Sequence, residues 1–218
     1  MHLLIFDLDG TLVDSKQDLI DSVNATRGFM NMSPLPGPVV ARYVGRGAMA
    51  LIQSALGESA PPEDIQKAHK FFIDYYGEHM LDKTLLYEGV REALDALKEQ
   101  GHTLAVLTNK PVRFSERMME KLGLHRHFVR IYGGNSFEPK KKPDPVGIHA
   151  LLSETGLRKE NTIMVGDSSV DIRTARNASV RACGVTWGFQ PETFVQEPPD
   201  FTIDHMRQLH EILLTQRR

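Results

Sequence analysis

Four short apolar runs, each ending in small or polar residues, restrict the fold of this chain more than any other feature. The runs are HLLIFD (2–7), HTLAVLTN (102–109), NTIMVGD (161–167) and VRACGVTW (180–187). They lack the two-residue alternation of a strand with one solvated face, so each is expected to be a strand that is buried on both faces of a parallel sheet. A ligand site is then expected beyond the carboxyl ends of these strands.

Segments with helical spacing separate the runs. EGVREALDALKEQG ends at Gly101 and PVRFSERMMEKLG ends at Gly123, and glycine is the usual residue just past a helix end. PDPVGIHALLSETG and SSVDIRTARNAS complete the alternation. Strand and helix alternating in this way predict an α/β fold, a doubly wound, parallel, Rossmann-like sheet with right-handed crossovers.

One stretch interrupts this alternation. Between Asp14 and about Lys83 the sequence shows only helical spacing, in KQDLIDSVNATRGFM, PVVARYVGRGAMALIQSAL and PEDIQKAHKFFIDYYGEHM. A structureless loop of this length is improbable inside a domain. We therefore predict an inserted all-helical cap domain over residues 15–83, and a core domain made of residues 1–14 and 84–218.

Composition narrows the class of partner. The 218 residues carry 25% charged side chains and a formal net charge of -2, so no overall field favours nucleic acid or an anionic membrane. Asp7 and Asp9 interrupt the apolar start before a signal-peptide core forms, and no run approaches the roughly 18 apolar residues of a membrane span. We expect a cytoplasmic monomer or homodimer.

Acidic residues follow two of the predicted strands. Asp7 and Asp9 follow the first, while Asp167 follows the third and Asp171 lies one turn into the next helix, on the same face. A D-x-D pair alone often marks a turn, and GDSSVD alone is also a helix N-cap with an acid in its first turn. Together the four acids predict a site for Mg²⁺, which is usually held by a few carboxylates, water and substrate phosphate.

Phosphate-binding groups are predicted beside these acids. Thr108 and Asn109 end the second core strand, where a hydroxyl and the amides of a helix N-terminus bind phosphate oxygens. A capping threonine fits the same pattern. In the KKKPDP segment we expect Lys140 and Lys141 to be solvated, whereas Lys142 adjoins Pro143 and is more restricted in direction.

The set DLDGT, LTN, KP and GDSSVD, in this order, resembles the four motifs of the haloacid dehalogenase superfamily. The segments YEGVREALDALKEQG and KKPDP are similar to its phosphoglycolate phosphatase branch. The resemblance covers essentially the whole chain, including the helical insert, which matches the position of the cap in that branch.

The resemblance implies a role for each motif residue. Asp7 would be the nucleophile that forms an aspartyl-phosphate, and Asp9 the general acid and base. Asp7, the main-chain carbonyl of Asp9, and Asp167 would hold Mg²⁺, with Asp171 acting through water. Phosphoryl oxygens would be bound by Thr108, Asn109 and Lys142. Because dehalogenating relatives lack the second aspartate, the presence of Asp9 favours phosphate chemistry.

Arg46 is the candidate for recognising the substrate from the cap. It lies between Gly45 and Gly47, where the chain can turn sharply and direct the guanidinium toward the core. In that position Arg46 would pair with a carboxylate or a second phosphate on the substrate. A surface arginine in a loop is the competing interpretation.

The sequence thus favours a Mg²⁺-dependent phosphomonoester hydrolase acting on a small phosphorylated metabolite, with 2-phosphoglycolate the best single candidate. A phosphosugar mutase of the β-phosphoglucomutase type remains an alternative, as does a pyrophosphatase or nucleotidase of the same superfamily. A binding module that kept the fold without catalysis is a third possibility, and the complete acid set argues against it.

Overall fold

The computed structural model describes residues 1–215, and its framework is a six-stranded parallel sheet. The strands are β1 (Leu3–Phe6), β2 (Val13–Asp14), β3 (Leu85–Leu86), β4 (Thr103–Leu107), β5 (Arg130–Tyr132), β6 (Thr162–Gly166), β7 (Arg181–Val185) and β8 (Phe201–Ile203). The main sheet has the order β5-β4-β1-β6-β7-β8, and β2 pairs with β3 in a separate antiparallel ribbon. The four predicted core strands and the α/β class are confirmed.

Helices connect these strands. They are α1 (Lys16–Phe29), α2 (Gly37–Ala41), α3 (Ala48–Leu56), α4 (Pro62–His79), α5 (Val90–Glu99), α6 (Val112–Lys121), α7 (Val146–Thr155), α8 (Ser169–Ala178) and α9 (Gln208–Thr215). As predicted, α5 and α6 end just before Gly101 and Gly123, which adopt the left-handed conformation at φ 81° and 67°. Within residues 1–215 no helix is both long and apolar enough to cross a membrane.

Both faces of the sheet are buried, and they belong to two separate apolar clusters. Leu4 and Phe6 of β1 lie in the larger cluster, which continues without a break into Phe72 of α4. Leu3 and Ile5 lie in the smaller cluster on the opposite face, under α7 and α8. The absence of alternation in HLLIFD therefore reflects burial on both sides.

The segment between β2 and β3 contains four helices, α1 to α4, and no strand. This agrees with the helical spacing of the sequence. The larger cluster joins α1, α3 and α4 to the sheet through Leu19, Ile52 and Tyr76. The predicted boundary between cap and core at residues 14/15 and 83/84 stays a prediction.

A buried carboxylate ties together the two chain segments that connect the insert to the sheet. Asp18, in the first turn of α1, is 2% exposed. Its Oδ1 accepts a hydrogen bond from the main-chain N–H of Lys83 at 3.0 Å. Its Oδ2 accepts from the N–H and the hydroxyl of Thr84 at 2.9 and 2.7 Å. The start and the end of the insert therefore share one charged clasp.

We predict that Asp18→Ala lowers the free energy of unfolding by about 3 kcal/mol, because hydrogen bonds to a charged group are lost and the buried Thr84 donors are left without an acceptor. Asp21→Ala on the same helix is the control. Its ion pair with Lys83 is exposed, so the loss should stay below about 1 kcal/mol. Urea unfolding measures both values, and equal losses would contradict the importance of the clasp.

Candidate active site

The register of the parallel strands brings the acidic residues together at one edge of the sheet. Phe6 lies between Val106 of β4 and Val165 of β6, so the three strands end at the same level. Asp7 and Asp167 follow directly, and Asp171 comes from the first turn of α8. One carboxylate oxygen from each of these three buried residues lies within 4.8 Å of the others. The sequence predicted that Asp9 would join these three acids, and its side chain does not.

Three glycines allow the backbone to pack tightly against these carboxylates. A Cβ on Gly10 would lie 2.3 Å from Oδ2 of Asp167, and a Cβ on Gly188 would lie 2.2 Å from Cβ of the same aspartate. A Cβ on Gly166 would lie 2.2 Å from Cγ of Asp171. Gly10 also has a φ of +83°, which disfavours any other residue there. The cluster therefore depends on residues without side chains.

Asp171 both caps a helix and belongs to the acid cluster. Its Oδ2 accepts hydrogen bonds from the N–H and hydroxyl of Ser168, and the two residues form a capping box at the start of α8. Its Oδ1 lies 2.6 Å from Nζ of Lys142. By contrast, within the described residues 1–215, Asp167 has a hydrogen bond only at Oδ2, from the N–H of Phe189. The capping and functional readings of GDSSVD are thus compatible.

A single buried ammonium partly neutralises the cluster. Nζ of Lys142 lies 2.8 Å from Oδ1 of Asp7 and 2.6 Å from Oδ1 of Asp171, and its side chain is 2% exposed. Burial disfavours the charge, but the carboxylates of Asp171 and Asp7 outweigh it and raise the pKa of Lys142. Lys140 and Lys141 are exposed, as the sequence predicted.

The charges in the cluster do not balance. Burial, together with repulsion from Asp171, raises the pKa of Asp7 to about 6, although Lys142 opposes the shift. Burial and the neighbouring carboxylates of Asp171 and Asp7 also raise the pKa of Asp167 well above its usual range. Three carboxylates facing one ammonium fit a hard divalent cation, which prefers oxygen ligands and would remove the excess negative charge.

The predicted phosphate-binding residues lie beside the cluster. Thr108 is buried after β4, and its Oγ1 accepts a hydrogen bond from the N–H of Lys110. Nδ2 of Asn109 donates to the carbonyls of Gly45 and Lys142, at 2.8 and 2.9 Å. The amide of Asn109 therefore joins the insert, the β4 end and the lysine loop. Contact of either residue with phosphate stays a prediction.

The Asp9 side chain lies outside the acid cluster. It is 11% exposed and faces a lysine that the sequence interpretation missed, Lys110, whose Nζ lies 2.9 and 3.0 Å from its two oxygens. Ser15 donates a further hydrogen bond to Oδ1 of Asp9, at 2.6 Å. The residue pattern placed Asp9 among four acids at the metal, whereas the family resemblance placed only its main-chain carbonyl there, and the role of that carbonyl stays a prediction. The sequence signal that could have identified Lys110 was its position directly after Thr108 and Asn109.

A cleft lies between the insert and the acidic edge of the sheet. Asp7, Asp9 and Asp167 line it on the sheet side. The insert contributes mainly apolar residues, namely Leu19, Val44, Ala48, Leu51 and Phe72, and α6 adds Phe114. Tyr76 and Gln190 are polar lining residues that the sequence interpretation also missed. The carboxylates on the sheet side of the cleft thus face a mainly apolar lining on the insert side.

Arg46 does not line this cleft, although Gly45 and Gly47 on either side of it do. Its guanidinium donates a 3.3 Å hydrogen bond to the hydroxyl of Ser54 on the exposed side of α3. The two glycines have φ values of 101° and 90°, so the expected sharp turn is present. Contact between Arg46 and a substrate stays a prediction.

Gln190 holds residues 41–44 of the insert against the sheet domain. Its Nε2 lies 2.8 Å from the carbonyl oxygen of Val44 and 3.1 Å from that of Ala41. Together with the bond from Asn109 to Gly45, these contacts join this segment of the insert to the sheet domain.

Comparison with known proteins agrees with this geometry. The family model described as haloacid dehalogenase-like hydrolase matches residues 4–185. A phosphoglycolate phosphatase of Agrobacterium fabrum is 42% identical over 205 residues, covering 93% of this chain and 88% of that protein. A phosphoglycolate phosphatase of Vibrio parahaemolyticus is 35% identical over 220 residues, covering 98% and 96%. The crystal structure of a predicted phosphoglycolate phosphatase from Haemophilus somnus superposes with a TM-score of 0.92 at 32% identity, covering 98% of both chains.

We predict that, with a chelator present, the stability contributed by Asp7 falls as the pH rises from about 4 to about 6. The pKa of Asp7 is about 6 in the folded protein and 3.8 as an ordinary aspartate, so the folded state binds its proton more tightly. This contribution is complete below the lower value and is lost as the carboxyl ionises. The loss should amount to about 3 kcal/mol.

Denaturant unfolding across this pH range provides the measurement. Asp7→Asn should remove the part of the pH dependence that Asp7 contributes and leave the part that Asp167 contributes. Asp74→Asn, at an exposed position on α4, should leave the parent profile unchanged. Identical profiles for Asp7→Asn and the parent would show that burial of Asp7 does not shift its ionisation.

Proposed function

The chain belongs to the haloacid dehalogenase-like hydrolase family and is a phosphatase, and from this we propose a specific reaction. It is the Mg²⁺-dependent hydrolysis of a small phosphomonoester through an aspartyl-phosphate, with 2-phosphoglycolate the best candidate substrate. One observation carries the mechanism. Asp7 follows the central strand beside the buried ammonium of Lys142, and Asp9 lines the cleft together with it.

Asp7 is the nucleophile in this proposal. Its carboxylate oxygen forms a bond to phosphorus while the bond to the leaving alcohol breaks. The ammonium of Lys142 would bind a phosphoryl oxygen and reduce repulsion between Asp7 and the anionic ester. The hydroxyl of Thr108, at the end of the neighbouring strand, would bind a second phosphoryl oxygen. Positioning and charge neutralisation are the main requirements of phosphoryl transfer, and these groups supply both.

Asp9 transfers the protons. Its carboxyl gives a proton to the leaving oxygen as the ester bond breaks, and the resulting carboxylate then takes a proton from the attacking water. That water forms a bond to phosphorus while the bond to Asp7 breaks. The products are an alcohol and inorganic phosphate, and Asp7 and Asp9 return to their starting states.

The acid cluster would hold Mg²⁺ through Asp7, Asp167 and the carbonyl of Asp9. Asp171 already has both oxygens engaged by Ser168 and Lys142, so it would act through water. When bound, the ion stabilises the charge that develops on the phosphoryl group. The site fits this ion because its donors are carboxylate oxygens with surplus negative charge.

The full-length similarity to proteins named phosphoglycolate phosphatase supports 2-phosphoglycolate as the substrate. It gives no support to the mutase, pyrophosphatase or nucleotidase alternatives. A screen for phosphate release over a panel of phosphorylated metabolites, with and without Mg²⁺, tests the choice. Preference for 2-phosphoglycolate supports the proposal, whereas isomerisation of a phosphosugar without release of phosphate would replace it by the mutase.

We predict that Asp7→Asn abolishes turnover almost completely, because neither the metal nor the phosphate-binding groups can replace a missing nucleophile. Phosphate release under saturating 2-phosphoglycolate measures the effect. Asp74→Asn is the control and should keep the parent rate. Beryllium fluoride with Mg²⁺ should inhibit the parent by imitating a phosphoryl group on Asp7. Substantial activity in Asp7→Asn would rule out the covalent mechanism.

Asp167 and Asp171 should differ in metal dependence. We predict that Asp167→Asn raises the Mg²⁺ concentration needed for half-maximal activity at least tenfold, and that Asp171→Asn raises it less, because only Asp167 is a direct ligand. Magnesium titrations of activity give both values. Ser168→Ala removes a partner of Asp171 and serves as a control for the capping box. Equal requirements in the parent and Asp167→Asn would exclude Asp167 from the metal site.

A further inference from the structure

Lys110 is a buried cation to which the proposed mechanism assigns no role. Its side chain is 4% exposed, and a buried ammonium is unfavourable unless it is paired and fully hydrogen-bonded. Its three hydrogens have three acceptors, namely the two carboxylate oxygens of Asp9 and the hydroxyl oxygen of Tyr76. No hydrogen remains to bind a substrate anion, so the observed contacts make Lys110 a partner of Asp9.

These contacts fix the Asp9 carboxylate from two sides. Oδ1 accepts hydrogen bonds from Ser15 and from Lys110, at 2.6 and 2.9 Å. Within residues 1–215, Oδ2 accepts only from Lys110, at 3.0 Å. A carboxylate oxygen has two lone pairs, so Oδ2 retains room for one more hydrogen bond. The arrangement leaves one oxygen of Asp9 available on a carboxylate that cannot rotate freely.

Tyr76 connects this pair to the insert. It lies on α4, while Lys110 lies between β4 and α6. The Tyr76 ring packs edge-on against Phe114 of α6, with centroids 5.6 Å apart, and stacks on Phe72 of its own helix. Burial, and then the negative charges of Asp9 and Asp18, raise the pKa of Tyr76, so it remains a neutral phenol that accepts from the ammonium. The position of Lys110 therefore depends on a residue of the insert.

We propose that Lys110 is a positioning residue that holds Asp9 in the orientation needed for proton transfer, and that Tyr76 makes this hold depend on the insert being seated over the sheet. This inference rests on the proposed function, in which Asp9 acts twice. With Lys110 displaced, Asp9 keeps only its bond to Ser15 and is free to turn away from the leaving oxygen and from water. With the contacts from Tyr76 to Lys110 and from Lys110 to Asp9 in place, the Asp9 carboxyl is held at the cleft.

The experiment compares Lys110→Met, Lys110→Arg and Tyr76→Phe with the parent and with Asp9→Asn. Lys140→Met and Tyr75→Phe are matched controls, because Lys140 is exposed and Tyr75 lies next to Tyr76 on α4 outside the lining of the cleft. Steady-state kcat and KM are measured with 2-phosphoglycolate. Pre-steady-state release of nitrophenolate is measured with 4-nitrophenyl phosphate, whose leaving group departs without a proton.

Lys110→Met should lower kcat for 2-phosphoglycolate roughly 100-fold with KM changed less than about threefold, since misplaced acid–base catalysis removes transition-state stabilisation and not substrate binding. With 4-nitrophenyl phosphate it should give a burst of nitrophenolate followed by slow turnover. Formation of the phosphoenzyme from this ester needs no proton donor, whereas its hydrolysis needs the Asp9 carboxylate to take a proton from the attacking water. Lys110→Arg should have a kcat about tenfold higher than that of Lys110→Met, because arginine restores a hydrogen-bond donor to Asp9.

Tyr76→Phe is the variant least able to disturb folding, since it removes one oxygen and keeps the ring. We expect it to lower kcat roughly tenfold and to give the same burst. Melting temperatures of all variants show whether each is folded. If Lys110→Met does not fold, Tyr76→Phe decides the question alone.

The outcomes separate this inference from the proposed function. Full turnover by Asp7→Asn would refute the mechanism itself, whatever Lys110 does. If Asp9→Asn loses turnover while Lys110→Met and Tyr76→Phe match their controls, the mechanism stands and the positioning role is overturned. A second outcome would also overturn it. If Lys110→Met raises KM for 2-phosphoglycolate but does not affect alkyl phosphates without a second anionic group, Lys110 binds the substrate directly.

Discussion

The structure depends on holding three buried carboxylates around one buried ammonium at the edge of a parallel sheet. Removing such charges from water is unfavourable, and Lys142 compensates for only part of the repulsion among Asp7, Asp167 and Asp171. The strands around them are fully buried, and glycines at positions 10, 166 and 188 let the backbone approach the carboxylates closely. The rigid sheet thus maintains an excess of negative charge that a divalent cation would neutralise.

The sequence predicts much of this site because its determinants are local. An apolar run without alternation identifies a doubly buried strand, and parallel strands bring their carboxyl ends to one edge, so Asp7, Thr108 and Asp167 had to be neighbours. The edge strands β5 and β8 were missed. Each has only three residues, and each includes an exposed one, so neither forms a recognisable buried run.

The contacts between the insert and the sheet could not be predicted in the same way. Asp9 and Lys110 are 101 residues apart, and Lys110 and Tyr76 are 34 apart, with no periodic pattern to relate them. Tyr76 and Phe72 are both buried residues of α4, and the polar contact of the phenol is visible only in three dimensions. The glycines around Arg46 did predict a sharp turn, but a turn does not determine where the side chain points.

The two sides of the insert are held by bonds of different strength. Where the chain enters and leaves the insert, Asp18 accepts hydrogen bonds as a buried charged group. Hydrogen bonds of this kind contribute about 1.5–3 kcal/mol each to stability. Across the cleft, Asn109 and Gln190 donate neutral amide hydrogens to carbonyls of the insert, and bonds of this kind contribute about 1 kcal/mol. Each neutral bond across the cleft therefore contributes less than each bond of the clasp, and the bond from the Lys110 ammonium to Tyr76 is the charged contact that also spans the cleft. Because Asn109 and Lys110 are adjacent, any separation of the insert from the sheet that breaks the bond from Asn109 to Gly45 would also remove Tyr76 from Lys110.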